Sequence, residues 1–458
     1  MKNNEMDMTT GRIWPKMLQF VVPLALSSLL QLLFNAADLI VVGNYAGATA
    51  LAAVGTTGAL INLIINIFLG LSVGANVLVA RQYGAGNHGG VSRAVHTSIF
   101  AAGVGGILFA AVGILLCRPL LRMMNIEGEV LDKAALYMRI YFAGLPVIGL
   151  YNYGSAILRA VGDTRRPLIF LSIAGILNVM MNLFFVIVLK MDVDGVALAT
   201  VLSQCVSTAL VLLTLIRSDN ACRLDLKRLR PDRYSFSELV RIGVPAGIQG
   251  MCFSLSNVII QSTVNSFGDY ATAGNAACSN IEGFVYVTMN AFHQACLAFA
   301  GQNMGARKYA RIDRIVLSAV GLQFLISFSA CMLVFLFRRP LLGIYIKAGE
   351  EEAIRFGMIR MQIYMRVYFI CGIMDIMSGM LRGMGYSLAP TLIVLVGTCL
   401  LRIVWVFAVF PNFRTLECLY LSYPVSWSLT ALIQIVFYLT RRKKAFERND
   451  RLWQTGAA

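Results

Sequence analysis

The chain alternates long apolar runs with short polar connections. Runs long enough to cross about 30 Å of hydrocarbon as helices fall near 15–42, 50–79, 94–117, 136–158, 167–190, 194–216, 238–264, 272–299, 314–337, 359–381, 389–411 and 417–440. Inside a bilayer every backbone N–H and C=O needs a partner within the protein, and a helix supplies one from its own segment. The pattern therefore predicts an all-α membrane protein with twelve transmembrane helices. Polar residues inside these runs are few, so each one needs a reason.

The two halves of the chain repeat one another. VARQYGAGN at 79–87 returns as AGQNMGARK at 300–308, YMRIY at 137–141 as RMQIY at 360–364, and ILRAVGDTRRP at 157–167 as MLRGMGYSLAP at 380–390. Three matches in the same order at offsets of 221 to 223, joined by Pro23 against Pro245, define a duplication. Six spans is an even number, so both copies enter the membrane from the same side and are related by an axis along its normal. The expected organisation is an amino-terminal six-helix lobe over 1–216, a basic linker over 217–237, a carboxy-terminal six-helix lobe over 238–440, and a basic tail over 441–458. Two pseudo-symmetric lobes enclosing a midplane cavity is an architecture of alternating-access transporters, although a duplicated bundle without a transport role has the same pattern.

Composition agrees with this reading. The chain is 58% hydrophobic and 14% charged, with a mean hydropathy of +0.71, which leaves too little polar surface to cover a soluble globule of 458 residues. The net charge of +16 does not point to nucleic acid, because most Lys and Arg lie in the connections on the side that holds both termini. Retention of basic residues in the cytosol accounts for this bias and predicts cytoplasmic termini. The amino terminus lacks the short apolar core and small-residue site of a cleaved signal, so the first span belongs to the mature chain. Ten cysteines include no CxxC pair and read as small hydrophobes. His88, His96 and His293 show no metal-ligand spacing, so neither a structural metal nor a resident cofactor is expected.

Asp38 is the conspicuous polar residue, since a carboxylate at the centre of a span costs roughly 2.5–3.5 kcal/mol on insertion scales and persists where it meets a cavity or a partner. Asn35, Gln31 and Ser28 precede it at helical spacings of three and four, so Asp38 ends a polar stripe. The fifth span carries Asn178 and Asn182 four apart, and the sixth carries Thr200, Gln204 and Ser207. At about 1.5 Å per residue from the outer ends, Asp38, Thr200, Asn182 and Asn178 lie roughly 6, 9, 12 and 18 Å deep. These depths allow the four to meet in the outer half of the amino-terminal lobe. A carboxylate among amide and hydroxyl oxygens suits a proton or a small hard cation, and burial penalises the charged form, which makes Asp38 a usable proton carrier. The alternative is a hydrated Asp38 beside asparagines that only bond helix to helix. Pro23 lacks an amide hydrogen and gives the first helix a point at which to bend, either as a moving part or as a static kink.

The second half carries other charges. Glu282 on the eighth span and Arg402 on the eleventh share a depth and are expected to pair, either structurally or as part of coupling. Asp375 on the tenth span has no evident partner and is expected to line the cavity, while Arg366 is expected to answer Glu350, Glu351 and Glu352 in the preceding loop. Asn257 is a further candidate for the cavity wall. Met180, Met181, Met251, Met289 and Met374 offer an adaptable apolar lining, with ordinary core packing as the alternative at each.

Taken together, NAADLIVVG in the first span, ARQYGAGN, LRAVGDTRRP, LNVMMNLFFV in the fifth span and DGVALATVLSQ opening the sixth resemble the multidrug and toxic compound extrusion (MATE) family, particularly its DinF-like branch. The resemblance covers about 12–440. It implies the MATE/MOP-flippase-like fold and a twelve-helix antiporter in the plasma membrane that exports organic, often cationic, compounds in exchange for H+ or Na+. By the same resemblance Asp38, Asn178, Asn182 and Thr200 form the cation site and Pro23 is the bending residue. The branch often has a second aspartate where this chain has Asn182, a departure that favours H+ over Na+. Other branches place acidic residues on the seventh and tenth spans; the seventh span here has none, and Asp375 is only an approximate counterpart. The expectation is a bacterial inner-membrane carrier whose partners are small organic substrates and membrane lipid, with a monomer as the expected form and nothing in the sequence that fixes the oligomeric state.

Three rivals remain. A lipid or lipid-linked-sugar flippase would need basic residues in its cavity, and few lie within the spans. A membrane-embedded enzyme would show HExxH, GxSxG or carboxylates paired on one face, and none is present. A channel would show a repeated selectivity-filter sequence, which is also absent.

Overall fold

The structure is a computed structural model that describes residues 5–124, 126–347 and 349–454. The helices in chain order are α1 (Ile13–Val41), α2 (Ala48–Gly84), α3 (His88–Met123), α4 (Gly128–Ala143), α5 (Leu145–Ala160), α6 (Arg165–Leu183) and α7 (Val193–Ile216). They continue as α8 (Arg233–Asn265), α9 (Asp269–Gly305), α10 (Tyr309–Leu336), α11 (Arg338–Tyr345), α12 (Glu351–Tyr364), α13 (Phe369–Gly383), α14 (Leu388–Val394), α15 (Leu401–Val404) and α16 (Leu416–Gln454). Single π-helical turns extend α1 over Val42–Ala46 and α6 over Phe184–Val188, and join α14 to α15 over Leu395–Leu400 and beyond over Trp405–Val409.

Among the described residues nine helices are long and apolar enough to span a membrane, and up to eleven if two bent pairs each count as one span. Those pairs are α4 with α5, bent by 47°, and α12 with α13, bent by 52°. The twelfth expected span corresponds to α9, which has the length, 37 residues, but carries too many Asn, Gln, Ser and Glu side chains to pass on composition. Large apolar side chains such as Leu115 and Leu317 lie 75% and 74% exposed on the helix surfaces, as lipid-facing positions do.

The duplication is visible in the backbone. Among the described residues, four left-handed positions, Gly47, Gly86, Gly128 and Gly162, recur at Gly268, Arg307, Gly349 and Gly385, at the same offsets as the sequence repeats, while Gly11 and Lys190 have no such counterpart. The π-helical turns starting at Phe184 and Trp405 follow suit. Arg307 takes its glycine-like conformation (φ 57°) while its Nε donates to Asp450 at 2.9 Å.

The chain divides into two compact units, Met1–Asp7 with Leu26–Met251 and Met8–Ala25 with Cys252–Ala458. This partition differs from the expected 1–216 and 238–440 boundaries. Both α1 and α8 change unit part-way along, α1 just after Pro23 and α8 shortly after Pro245. The reason is local packing. In the first unit Gly243 and Gly247 of α8 cross Gly70 and Gly74 of α2 so closely that a Cβ on Gly70 would lie 2.2 Å from the Gly247 nitrogen, the backbone approach that small residues four apart permit in membranes. In the second unit Met17, Phe20 and Val21 of α1 are buried with Phe292 and Phe299 of α9, and the Phe20 and Phe299 rings meet edge-to-face at 5.9 Å. The expected basic tail is helical, as α16 runs unbroken to Gln454. It is held to α10 by Phe446 stacked on Tyr309 at 4.5 Å and by Arg442 paired with Asp313 at 2.6 Å.

Candidate functional site

In the first unit α1, α6 and α7 converge on one polar chain. Gly175 of α6 has no side chain, and the ring of Phe34 from α1 fills that space; a Cβ there would lie 1.7 Å from Phe34 Cε2. One turn further along α1, Asp38 reaches α6. Asn182 Nδ2 donates to Asp38 Oδ1 at 2.5 Å and approaches Asn178 Oδ1 at 3.5 Å. Asn178 Nδ2 in turn donates to Thr200 Oγ1 at 3.4 Å, and that hydroxyl donates to the Val196 carbonyl at 3.0 Å. Asp38 is half-buried, whereas Asn178 and Asn182 are buried. Among the described residues no Lys, Arg or His forms an ion pair with Asp38, and the buried Asn182 Oδ1 has no hydrogen-bond partner. The site thus presents a carboxylate, a free amide oxygen and a hydroxyl, all hard oxygen ligands.

Sequence reasoning missed two neighbours. Tyr137 and Tyr141 of α4 stack with centroids 6.3 Å apart and interact electrostatically with Asp38. The signal was present in YMRIY, whose tyrosines lie four apart on one helical face, but that segment was read only as a repeat marker. The π-helical turn at Phe184 begins two residues after Asn182, and such turns recur at functional sites because they break the regular ladder.

The remaining residues of the first half are more dispersed. Gln31 and Asn35 lie exposed along α1. Gln204 accepts from Ser207 Oγ at 3.2 Å. Pro23 is buried in the second unit's stretch of α1. Met180 is 61% exposed, while Met181 and Met251 are half-buried.

The second unit contains a cavity of about 300 Å3 lined by Asn257, Glu282, Arg360, Tyr364, Tyr423 and Trp427, among others. Glu282 does not pair with Arg402. Its partner is Arg360, whose Nε and Nη2 bind the two carboxylate oxygens at 2.8 and 2.6 Å, with both residues 6% exposed. Arg360 also donates to Asn275 Oδ1, which accepts from Tyr420 Oη at 3.1 Å. Depth along a helix is one coordinate, and the facing of α9 towards α12 decided the pairing. Arg402 instead stacks on Tyr423 at 4.0 Å and donates to Ser426 Oγ at 3.0 Å.

Asp375 and Arg366 depart from expectation, while Met289 and Met374 take the core-packing alternative. Asp375 is not in the cavity wall; it bonds to Tyr286, which is, and its carbonyl meets His293 Nδ1 at 2.7 Å. Met289 is fully buried in the hydrophobic core because α9 turns that face inward, and Met374 is buried likewise, accepting from Thr398 Oγ1. Arg366 lies over the Phe335 ring at 5.1 Å, and the loop carboxylate Glu351 pairs with Arg339 at 3.1 Å.

Paired repeats of spanning helices, with a carboxylate inside one of them that is bonded by an amide and by no basic side chain among the described residues, are an arrangement in keeping with a membrane transporter. The chain belongs to the MatE family, whose family model matches residues 23–184 and again 245–407. The double match falls at the offset of the internal repeat. The chain is similar to "Probable multidrug resistance protein YoeA" of Bacillus subtilis (strain 168), 27% identical over 439 residues and 93% of both chains. It is also similar to "Probable multidrug resistance protein YpnP" of the same organism, 26% identical over 96% of this chain and 98% of the relative. In fold it matches a crystal structure of MATE in complex with MaL6 with a TM-score of 0.90 at 21% identity, covering 96% of this chain and 98% of that one. The protein is therefore a multi-pass membrane transporter and not an enzyme.

Proposed function

We propose that this protein is a cation-coupled antiporter of the DinF-like branch that exports organic, cationic compounds across the plasma membrane of a bacterium, with both termini in the cytosol. The relatives named as multidrug resistance proteins support this substrate class. The observation that carries the coupling role is the Asp38–Asn182–Asn178–Thr200 chain, in which the carboxylate lacks a basic partner among the described residues and the Asn182 carbonyl oxygen is free. A carboxylate so placed gains most from a proton or Na+, because either cancels the charge that the apolar surroundings penalise.

In the proposed cycle Asp38 takes up the ion from outside, α1 rearranges near Pro23, substrate leaves outward by alternating access, and the ion is released to the cytosol. The change of unit just after Pro23 gives that rearrangement a mechanical purpose, since the two parts of α1 are packed in different surroundings. One carboxylate attracts Na+ less strongly than two would, which favours H+ as the coupling ion.

The test is transport by the purified chain in proteoliposomes under an imposed pH or Na+ gradient, comparing the parent with Asp38→Asn. Loss of gradient-driven dye movement in the variant is the expected result. Equal rates for both proteins under both gradients would remove Asp38 from the mechanism.

A further inference from the structure

The cavity of the second unit is built from parts that the Asp38 chain does not use. Four of its lining rings form one cluster: Tyr364 lies 4.6 Å from Tyr423 and 5.2 Å from Trp427, and Trp427 lies 5.3 Å from Tyr368, centroid to centroid. A volume of about 300 Å3 sits at the lower end of the range for small-molecule sites and admits a compound of two fused rings.

Among the described lining residues of this cavity the buried polar atoms without a partner are donors. Glu282 is answered by Arg360 through two hydrogen bonds. Asp375, behind the lining residue Tyr286, is met by the Tyr286 hydroxyl and the charge of Arg382 and keeps one unpartnered oxygen, Oδ2. Arg402 is left over. It is 0% exposed, it lies directly against the Tyr423 ring, and its Nη1 and Nη2 have no hydrogen-bond partner. Tyr364 Oη and Trp427 Nε1, on lining residues, are also buried and unpartnered. Indole and guanidinium nitrogens only donate, and a phenol donates readily. Buried donors without acceptors are costly, so the arrangement has room for acceptor oxygens and a negative charge to complete it.

We propose that this cavity is a binding subsite for planar aromatic compounds bearing a carboxylate, with the rings stacked among Tyr364, Tyr423 and Trp427, acceptor oxygens taking the Tyr364 hydroxyl and Trp427 indole hydrogens, and Arg402 supplying the matching charge. The carrier then handles aromatic acids or zwitterions as well as organic cations, through residues distinct from those that bind the coupling ion.

The test is calorimetric binding to the full chain in lipid nanodiscs, without any gradient, using 2-naphthoate as probe and 2-naphthylmethylammonium as its charge-reversed control. Naphthoate is expected to bind saturably and about tenfold or more tighter than the ammonium. Trp427→Phe and Tyr364→Phe each keep a ring and remove one donor; each is expected to weaken naphthoate about tenfold and to leave the ammonium unchanged. Asp38→Asn is expected to retain full naphthoate affinity, so the subsite stands or falls separately from the coupling role. Equal or tighter binding of the ammonium, absence of saturable naphthoate binding, or unchanged affinity in both donor variants would each overturn the proposal.

Discussion

Asp38 and Glu282 are both carboxylates inside spanning helices, and the chain treats them in opposite ways. Glu282 meets Arg360 in a two-pronged ion pair, and a second layer of Asn275 and Tyr420 fixes the guanidinium. Asp38 meets an amide hydrogen and nearby tyrosines but no basic partner among the described residues. A buried pair satisfied on both sides holds a structure in place, because either charge alone would be strongly disfavoured. A carboxylate held only by neutral groups keeps two states within reach, charged and neutralised. Local chemistry thus separates a carboxylate fixed by a paired charge from one held by neutral groups alone, although the residue types are nearly the same.

This contrast can be broken in order of effect. Asp38→Asn is expected to take gradient-driven transport in proteoliposomes down to the level of protein-free vesicles, with little change in thermal unfolding, because no partner charge is stranded. Arg360→Met strands Glu282 and is expected to cost about 3–5 kcal/mol of stability. Thermal unfolding of the purified protein measures it, and Glu282→Met in the same chain should recover most of the loss. Asn182→Asp adds a second carboxylate to the first-unit site and is expected to lower the Na+ concentration for half-maximal transport about tenfold, read by titrating Na+ at constant pH. The smallest effect concerns the linker. Asp232 caps the start of α8 by accepting from the Ser235 amide and hydroxyl, both at 2.8 Å, and the Ser235 amide is the main reason its carboxyl is held below the usual value. Asp232→Ala is expected to cost about 1 kcal/mol. Because the folded carboxyl is the stronger acid, that contribution is complete above about pH 4 and fades as pH falls through the folded value. The parent's advantage over the variant should therefore shrink in acid unfolding curves.

The spans, the duplication and the polar stripe ending at Asp38 were legible because hydropathy and helical spacing are properties of one segment at a time. Asn178, Asn182 and Thr200 followed from depth and face, and the folded chain brings all three to Asp38. The partner of Glu282 was not legible, since two helices at one depth still have to face each other, and α9 faces α12 with Arg360 in reach. Tyr137 and Tyr141 escaped for a related reason: nothing in YMRIY says which distant helix its aromatic face will meet. The bends between α4 and α5 and between α12 and α13 did have local signals, Gly144 with Pro146 at the first break and Arg366 at the second, but the long apolar runs on either side masked them.

The exchange of unit along α1 also bears on how the protein is made. The amide of Met8 donates to Gln302 Oε1 at 3.0 Å, across 294 residues of chain, and the Phe20 ring waits for Phe299. This stretch is thus synthesised well before the residues it packs against. Until α9 has been made, that stretch lacks these contacts, so the packing of the first helix is completed only with the second half of the chain.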